Sequence, residues 1–184
     1  MSHPGAKVEI LYSAAEIANR VAALAGSIAA TLGPDLLVVA ILKGSFIFAA
    51  DLIRALHHAG LHPEIDFMTL SSYGTGTESS GQVGISRDVT ESLVGRQVLL
   101  IDDILESGRT LAFARASLEA RGAKVSLCVL LEKPGRRKAP IDADFIGFVC
   151  PDRFVVGYGL DFAHYYRELP YIGVIQSDGG TEAG

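Results

Sequence analysis

Apolar positions recur along this chain with two alternating periods. Ile17, Val21, Leu24, Ala25, Ile28 and Leu32 fall three or four residues apart, the spacing that lines one face of an α-helix. Ser13 and Glu16 precede that run as a capping box, in which each residue accepts the other's backbone N–H. Gly33-Pro34 closes it. Asp35 to Leu42 is almost unbroken apolar sequence, as expected of a strand covered on both faces. Lys43-Gly44-Ser45 then opens a second helical pattern through Phe46, Ala49, Leu52, Ile53 and Leu56, and strand signals return at Ile65 to Leu70. Val98 to Ile101 reads as a buried strand ending in two carboxylates, Asp102 and Asp103. Leu111, Ala114, Ala116 and Leu118 predict a helix ending near Gly122, and Lys124 to Leu131 predicts the next strand. Phe145 to Cys150, Phe154 to Val156 and Tyr171 to Ile175 are shorter strand signals. Strands alternating with helices over residues 13–131 predict an α/β fold: a mostly parallel, doubly wound sheet flanked by helices. The strand-rich end adds a small cap. With no internal repeat and no linker composition, residues 1–184 read as one domain.

Residues 71–86, rich in Gly, Ser and Thr, bury too little apolar area to order themselves, and read as a lid or as the tip of a hairpin. Tyr73 at the base favours the lid, because an aromatic ring there covers a site. The Gly-rich stretch after Gln176 reads as a frayed tail. Of the 184 residues 49% are hydrophobic and 20% charged, the composition of a soluble globular protein. A net charge of −5 argues against a general nucleic-acid binder, which needs Lys and Arg to neutralise phosphates. Cys128 and Cys150 lie in apolar runs without metal or redox spacing, as buried free thiols do. The N-terminus lacks an apolar signal core and no run is long enough to span a membrane, so a cytoplasmic location is expected.

The chemistry concentrates in residues 98–111. A strand carries Asp102 and Asp103 to its carboxyl end, Glu106 follows, and Ser107-Gly108-Arg109-Thr110 opens a helix. That is where open α/β sheets bind ligands. The turn offers N–H groups, two hydroxyls and a helix N-terminus, which suits a phosphate. Acids beside a phosphate repel it unless sugar hydroxyls or a divalent cation intervene, so the segment points to a phosphorylated sugar bound with magnesium. The same residues also serve as ordinary caps and turns elsewhere. Lys43-Gly44, likewise between a strand and a helix, faces the same crevice if the two strands are neighbours. Read alone, Lys133 and Arg136 to Lys138 form a solvated basic face, and Asp161 is either a metal-facing carboxylate or a cap. His57-His58 has no third ligand at metal spacing and reads as a solvated pair, and His164 as a surface residue. Dinucleotide and nucleoside-triphosphate fingerprints are absent.

Taken in order, these segments resemble the hypoxanthine(-guanine) phosphoribosyltransferases, over about residues 8–176. Residues 102–110 resemble the family's phosphoribosyl pyrophosphate motif, Leu42-Lys43-Gly44-Ser45 its pyrophosphate loop, and Ser72-Tyr73 the start of its mobile lid. Leu131-Glu132-Lys133-Pro134 and the run from Pro151 to Asp161 resemble its purine-binding segments. The resemblance implies the type I phosphoribosyltransferase fold with a small hood built from both ends of the chain. It further implies transfer of ribose 5-phosphate from phosphoribosyl pyrophosphate to a 6-oxopurine in purine salvage. Asp102 and Asp103 would hold the ribose hydroxyls and the metal shell, and Ser107, Gly108, Arg109 and Thr110 the 5′-phosphate. Lys43, Gly44 and Arg167 would meet pyrophosphate, with a strained Leu42–Lys43 peptide. Lys133 would donate to the 6-oxo group, Phe154 would stack on the ring, Val155 would meet the 2-position through its backbone, and Asp161 would serve a second Mg2+. A homodimer or homotetramer is the implied assembly, with neither nucleic acid nor membrane as partner. Xanthine or a pyrimidine as the base, and a non-catalytic nucleotide-binding regulator, are the alternatives. One departure stands out: the family's usual aspartate base is Glu106 here, which carries the carboxylate farther by ~1.5 Å, one carbon–carbon bond.

Overall fold

The computed structural model describes residues 7–73 and 82–176. In chain order its elements are β1 (Val8–Tyr12), α1 (Ala14–Thr31), β2 (Leu36–Leu42), α2 (Phe46–His58), β3 (Glu64–Tyr73), β4 (Gln82–Arg87), β5 (Gln97–Leu105), α3 (Arg109–Ala120), β6 (Lys124–Glu132), β7 (Phe145–Val149), β8 (Val155–Val156) and β9 (Ile172–Ile175). A six-stranded sheet has the order β4-β3-β2-β5-β6-β7, parallel throughout except for the β3–β4 edge pair.

Strand alternation builds two cores. Leu36, Val38 and Ala40 of β2 face α1 and α2, packing with Ile17, Leu24, Ile28, Phe48 and Leu52. Leu37, Val39 and Ile41 face the other way, onto Leu111, Ala114 and Leu118 of α3. With both faces covered, β2 must be apolar at every position, which explains its unbroken run. The Ser13–Glu16 capping box is present at the start of α1. Cys128 and Cys150 are buried free thiols. Burial raises the pKa of both, Cys128 most, which leaves neither poised as a thiolate.

The two ends of the chain meet in a second sheet, β1-β9-β8, all antiparallel. This hood carries the segment after β8 back over the main sheet: Gly159 lies against Gly44, just beyond β2. The chain winds outward from β2 to β3 and β4 on one side, and from β5 to β6 and β7 on the other. The crevice between β2 and β5 is therefore the switch point where ligands bind in such sheets.

Two sequence expectations change. The strand expected to stop at Ile101 runs on to Leu105, because Asp102, Ile104 and Leu105 still pair with β6. Residues 82–86 of the stretch read as a lid belong to β4, whose Tyr73↔Gln82 and Ser72↔Val83 partners make hairpin arms. The remainder of that lid reading, residues 74–81, and the tail from residue 177 lie outside the described residues. Among the described residues no helix is long and apolar enough to cross a membrane.

Leu100, fully buried on the α3 face of β5, gives a direct test of this core. Leu100→Ala should lower unfolding free energy by about 2–5 kcal/mol in chemical denaturation. A loss below about 1 kcal/mol would show that the site is not close-packed.

Candidate active site

A cavity of about 590 Å3 opens at the carboxyl ends of β2 and β5. Lys43, Gly44, Asp103, Asp161 and Arg167 line one part of it, and Glu106, Lys133, Phe154 and Val155 another. The backbone holds these groups together at close quarters. A Cβ added to Gly44 would sit 1.6 Å from Asp103 Oδ2, and one added to Gly159 would sit 2.3 Å from the Gly44 carbonyl oxygen. Gly44 is thus wedged between the end of β5 and the hood segment, where no side chain fits. The Leu42–Lys43 peptide bond beside it is cis.

Asp102 and Asp103 follow the strand alternation and leave β5 on opposite faces. Asp102 is 8% exposed, accepts the Asp103 N–H at 3.0 Å, and is not among the residues lining the cavity. Burial, followed by the charge of Asp103, holds its carboxyl well above the ordinary carboxylate range. Asp103 is also raised, by burial, against which hydrogen bonds and the Arg167 guanidinium act. Of the two, Asp103 lines the cavity, where a bound cation would offset its burial.

Beyond β5, Gly108 takes φ +75° and turns the chain into α3. The α3 N-terminus has no side-chain cap, which leaves first-turn N–H groups available to an anion. Ser107, Gly108 and Thr110 line a separate cavity of about 190 Å3, with Leu105 and Leu111 behind them. Arg109 stands outside that cavity, exposed, its N–H 3.4 Å from Ser107 Oγ. Ser107 itself is stitched to the far side of the crevice, where Lys138 and Ala139 donate their N–H groups to its carbonyl at 2.9 Å.

Lys133 departs from its reading as part of a solvated basic face. It is 5% exposed, and Nζ donates to Glu106 Oε1 at 2.5 Å. The turn after β6 explains the burial: the Lys133 N–H bonds the Leu105 carbonyl at 2.9 Å, drawing the stem inward while Arg136 stays at the surface. Arg137 is also part-buried, paired with Glu132 at 2.5 Å. Asp161 uses both oxygens, accepting from Arg167 Nη2 at 2.7 Å and from the His164 N–H at 2.8 Å. It thus caps a turn, and it also lines the cavity. Phe154 is an exposed ring at the cavity rim, edge-on to Phe162. Ser72 and Tyr73 end β3, two and three residues beyond Leu70 of the cavity wall. His57 and His58 are exposed, as is His164.

Residues 7–163 match the phosphoribosyl transferase domain. The chain belongs to the phosphoribosyltransferase family. It is 44% identical to the hypoxanthine phosphoribosyltransferase of Escherichia coli (strain K12) over 172 residues, 91% of this chain and 95% of that one. With the hypoxanthine-guanine phosphoribosyltransferase of Bacillus subtilis (strain 168) it shares 45% identity over 170 residues, 91% and 93% of the two chains. The crystal structure of a Staphylococcus aureus hypoxanthine phosphoribosyltransferase superposes with a TM-score of 0.85 at 44% identity, over 91% of each chain. The fold is the type I phosphoribosyltransferase fold.

Sequence reasoning missed Gly159 and the pairing of Lys133 with Glu106. The glycine's close approach joins residues far apart in the chain, and no local pattern announces it. The ion pair spans 27 positions, and nothing in the spacing joins its two ends.

Two outcomes follow from this phosphoribosyltransferase crevice. Because the folded state holds the Asp102 proton to higher pH than the unfolded chain does, stability from this group is complete below about pH 4 and is lost as pH rises towards its raised pKa. Asp102→Asn should therefore melt roughly 2–4 °C higher than the parent at pH 7–8 in the absence of ligands. The gap should close towards pH 4, and a gap independent of pH would exclude this origin. Gly44→Ala, whose Cβ must displace Asp103, should lower kcat/KM by about 10²-fold or more in a steady-state assay, with circular dichroism unchanged. Near-normal turnover would mean that the wedge does not position the site.

Proposed function

We propose that this phosphoribosyltransferase acts in purine salvage as a single domain spanning residues 1–184. It transfers ribose 5-phosphate from phosphoribosyl pyrophosphate to hypoxanthine and/or guanine, giving IMP or GMP and pyrophosphate. The observation that carries the reading is the buried Lys133 ammonium in the wall of the cavity that Asp103, Lys43 and Arg167 also line. Its bond to Glu106 leaves further N–H groups on this buried cation, and a 6-oxo group can accept from one. The names of the relatives support the same base class.

In this reading Ser107, Gly108, Arg109 and Thr110, with the α3 N-terminus, hold the 5′-phosphate. Asp102 and Asp103 hold the ribose hydroxyls. Phe154 stacks on the purine and the Val155 backbone meets its 2-position. The N9 lone pair attacks ribose C1, the bond from C1 to pyrophosphate oxygen breaks with its electron pair leaving on pyrophosphate, and the N7 proton passes to Glu106. Positive charge grows on the sugar and negative charge on the leaving group, so Lys43, the Gly44 N–H and Arg167 at the leaving group lower the barrier. Ser72 and Tyr73 stand at the root of a lid that keeps water from the sugar cation.

Magnesium fits the donor set: hard carboxylate oxygens on Asp102, Asp103 and Asp161, two of them raised by burial and relieved by a cation. Among the described residues no three such groups form a complete cage, so the ion would share its shell with substrate oxygens. When bound, it neutralises developing charge on pyrophosphate. Asp161 takes part only once Arg167 leaves it, which the leaving group's pull on Arg167 favours. Buried free Cys128 and Cys150 suit a reducing compartment, the cytoplasm. Exposed Phe46 on α2 suits a homodimer or homotetramer contact.

Pyrophosphate release measured with hypoxanthine, guanine, xanthine, adenine and uracil in parallel tests the reading. Hypoxanthine or guanine should be used at least about 10³-fold better than adenine or uracil, as in sites built around one hydrogen-bonding group. Preference for uracil or adenine, or nucleotide binding without release, would overturn it.

A further inference from the structure

Asp51 and Tyr158 stand outside the crevice and join two elements that build it. Tyr158 Oη donates to Asp51 Oδ2 at 2.6 Å, and Asp51 also pairs with Arg54. The hydroxyl keeps its proton as the donor, since burial first, and then the bond and charge of Asp51, raise its pKa. Asp51 lies in α2, one helical turn past Ile47 on the same face. Gly159, the neighbour of Tyr158, sits above Ile47, where an added Cβ would meet the Ile47 Cβ at 3.7 Å. The hood segment therefore touches α2 twice, at Ile47 and at Asp51. At Tyr158 the chain is in the left-handed region, φ +51°, between Gly157 at +96° and Gly159 at +99°. That conformation costs a residue with a Cβ, so the buried ring and its hydroxyl bond must hold it.

Gly159 passes this placement on to Arg167. Its N–H bonds the Arg167 carbonyl at 3.1 Å, and its carbonyl accepts from Arg167 Nη1 at 2.5 Å. Tyr158 donates its own N–H to the Leu169 carbonyl at 2.9 Å, which extends the pairing. Arg167 Nη2 in turn holds Asp161 at 2.7 Å. Arg167 and Asp161 line the crevice, whereas Asp51 and Tyr158 line a separate cavity of about 570 Å3 between α1, α2 and the hood. We propose that the Asp51–Tyr158 hydrogen bond is a latch that positions Arg167 at the pyrophosphate end of the site, an inference that rests on the transfer reaction above. Asp51 and Tyr158 are positioning residues: neither lines the crevice, so the latch acts through the Gly159 backbone. While the bond holds, the guanidinium stays docked on the Gly159 carbonyl beside Gly44. Without it, the hood segment is free to lift from α2 and takes the guanidinium along.

The test is Tyr158→Phe, which keeps the ring and removes the bond. We measure the reverse reaction, IMP with inorganic pyrophosphate, alongside the melting temperature. The KM for pyrophosphate should rise about tenfold or more, as expected when one buried hydrogen bond no longer supports a binding group. The KM for IMP should stay within about twofold, the scatter expected of an unperturbed subsite. Asp51→Ala should reproduce the rise, whereas Asp51→Asn, whose amide oxygen still accepts from the hydroxyl, should stay within about twofold of the parent. Tyr158→Phe combined with Asp51→Ala should be no worse than either alone, because both remove the same bond. A lower melting temperature with both KM values unchanged would make the bond structural only and overturn the proposal. An equal rise in both KM values, or additive effects in the double variant, would overturn it as well. Should Tyr158→Phe fail to fold, Asp51→Ala set against Asp51→Asn gives the same comparison. A parent protein that makes no IMP would strike the function proposed above. Calorimetric binding of pyrophosphate with magnesium to the parent and to Tyr158→Phe would then still decide the latch, equal affinities overturning it.

Discussion

The contact on which the rest of the crevice depends is the wedge of Gly44 between Asp103 and Gly159. It joins the end of β2, the end of β5 and the hood segment at one point. The main sheet alone would bring two strand ends together, as every sheet of this topology does at its switch point. The hood closes the third side, and with it come Asp161 and Arg167. The Gly44 carbonyl leaves no room for a Cβ at Gly159, and a Cβ at Gly44 would strike the Asp103 carboxylate, so the approach of the three segments depends on both glycines.

The same crowding explains why the site works against the stability of the fold. Two carboxylates carried into the interior on consecutive residues of β5 are both pushed towards their protonated forms by burial, and Asp102 by its neighbour's charge as well. An apolar pair would pack there at less cost. Lys133 is the mirror case, a buried ammonium that Glu106 must satisfy. Local stability is given up where the proposed reaction needs charge, the usual trade at functional sites.

The helices and the parallel strands were legible because their periods are strong. Ile17 to Leu32 and Leu36 to Leu42 read correctly, since one stripe of α1 and both faces of β2 are buried. The site segment 102–110 was legible because acids, small polar residues and a glycine sit together at a strand end. What the sequence hid was non-local. The strand β4 is Gly- and Ser-bearing and owes its form to pairing with β3, so its propensity is overridden by its partner. Lys133 looked like one of four surface cations, and only the Leu105 carbonyl turns it inward. Asp102 and Asp103 read as equivalent until the pleat sent them to opposite faces.

A crystal structure of the protein soaked with IMP tests the proposed site most directly. If the crevice is the nucleotide site, the 5′-phosphate lies in the Ser107–Thr110 turn and the purine rests against Phe154, with its 6-oxo group on Lys133 and its N7 side towards Glu106. A nucleotide seated away from that turn, or with the purine reversed so that Lys133 and Glu106 meet nothing, contradicts it.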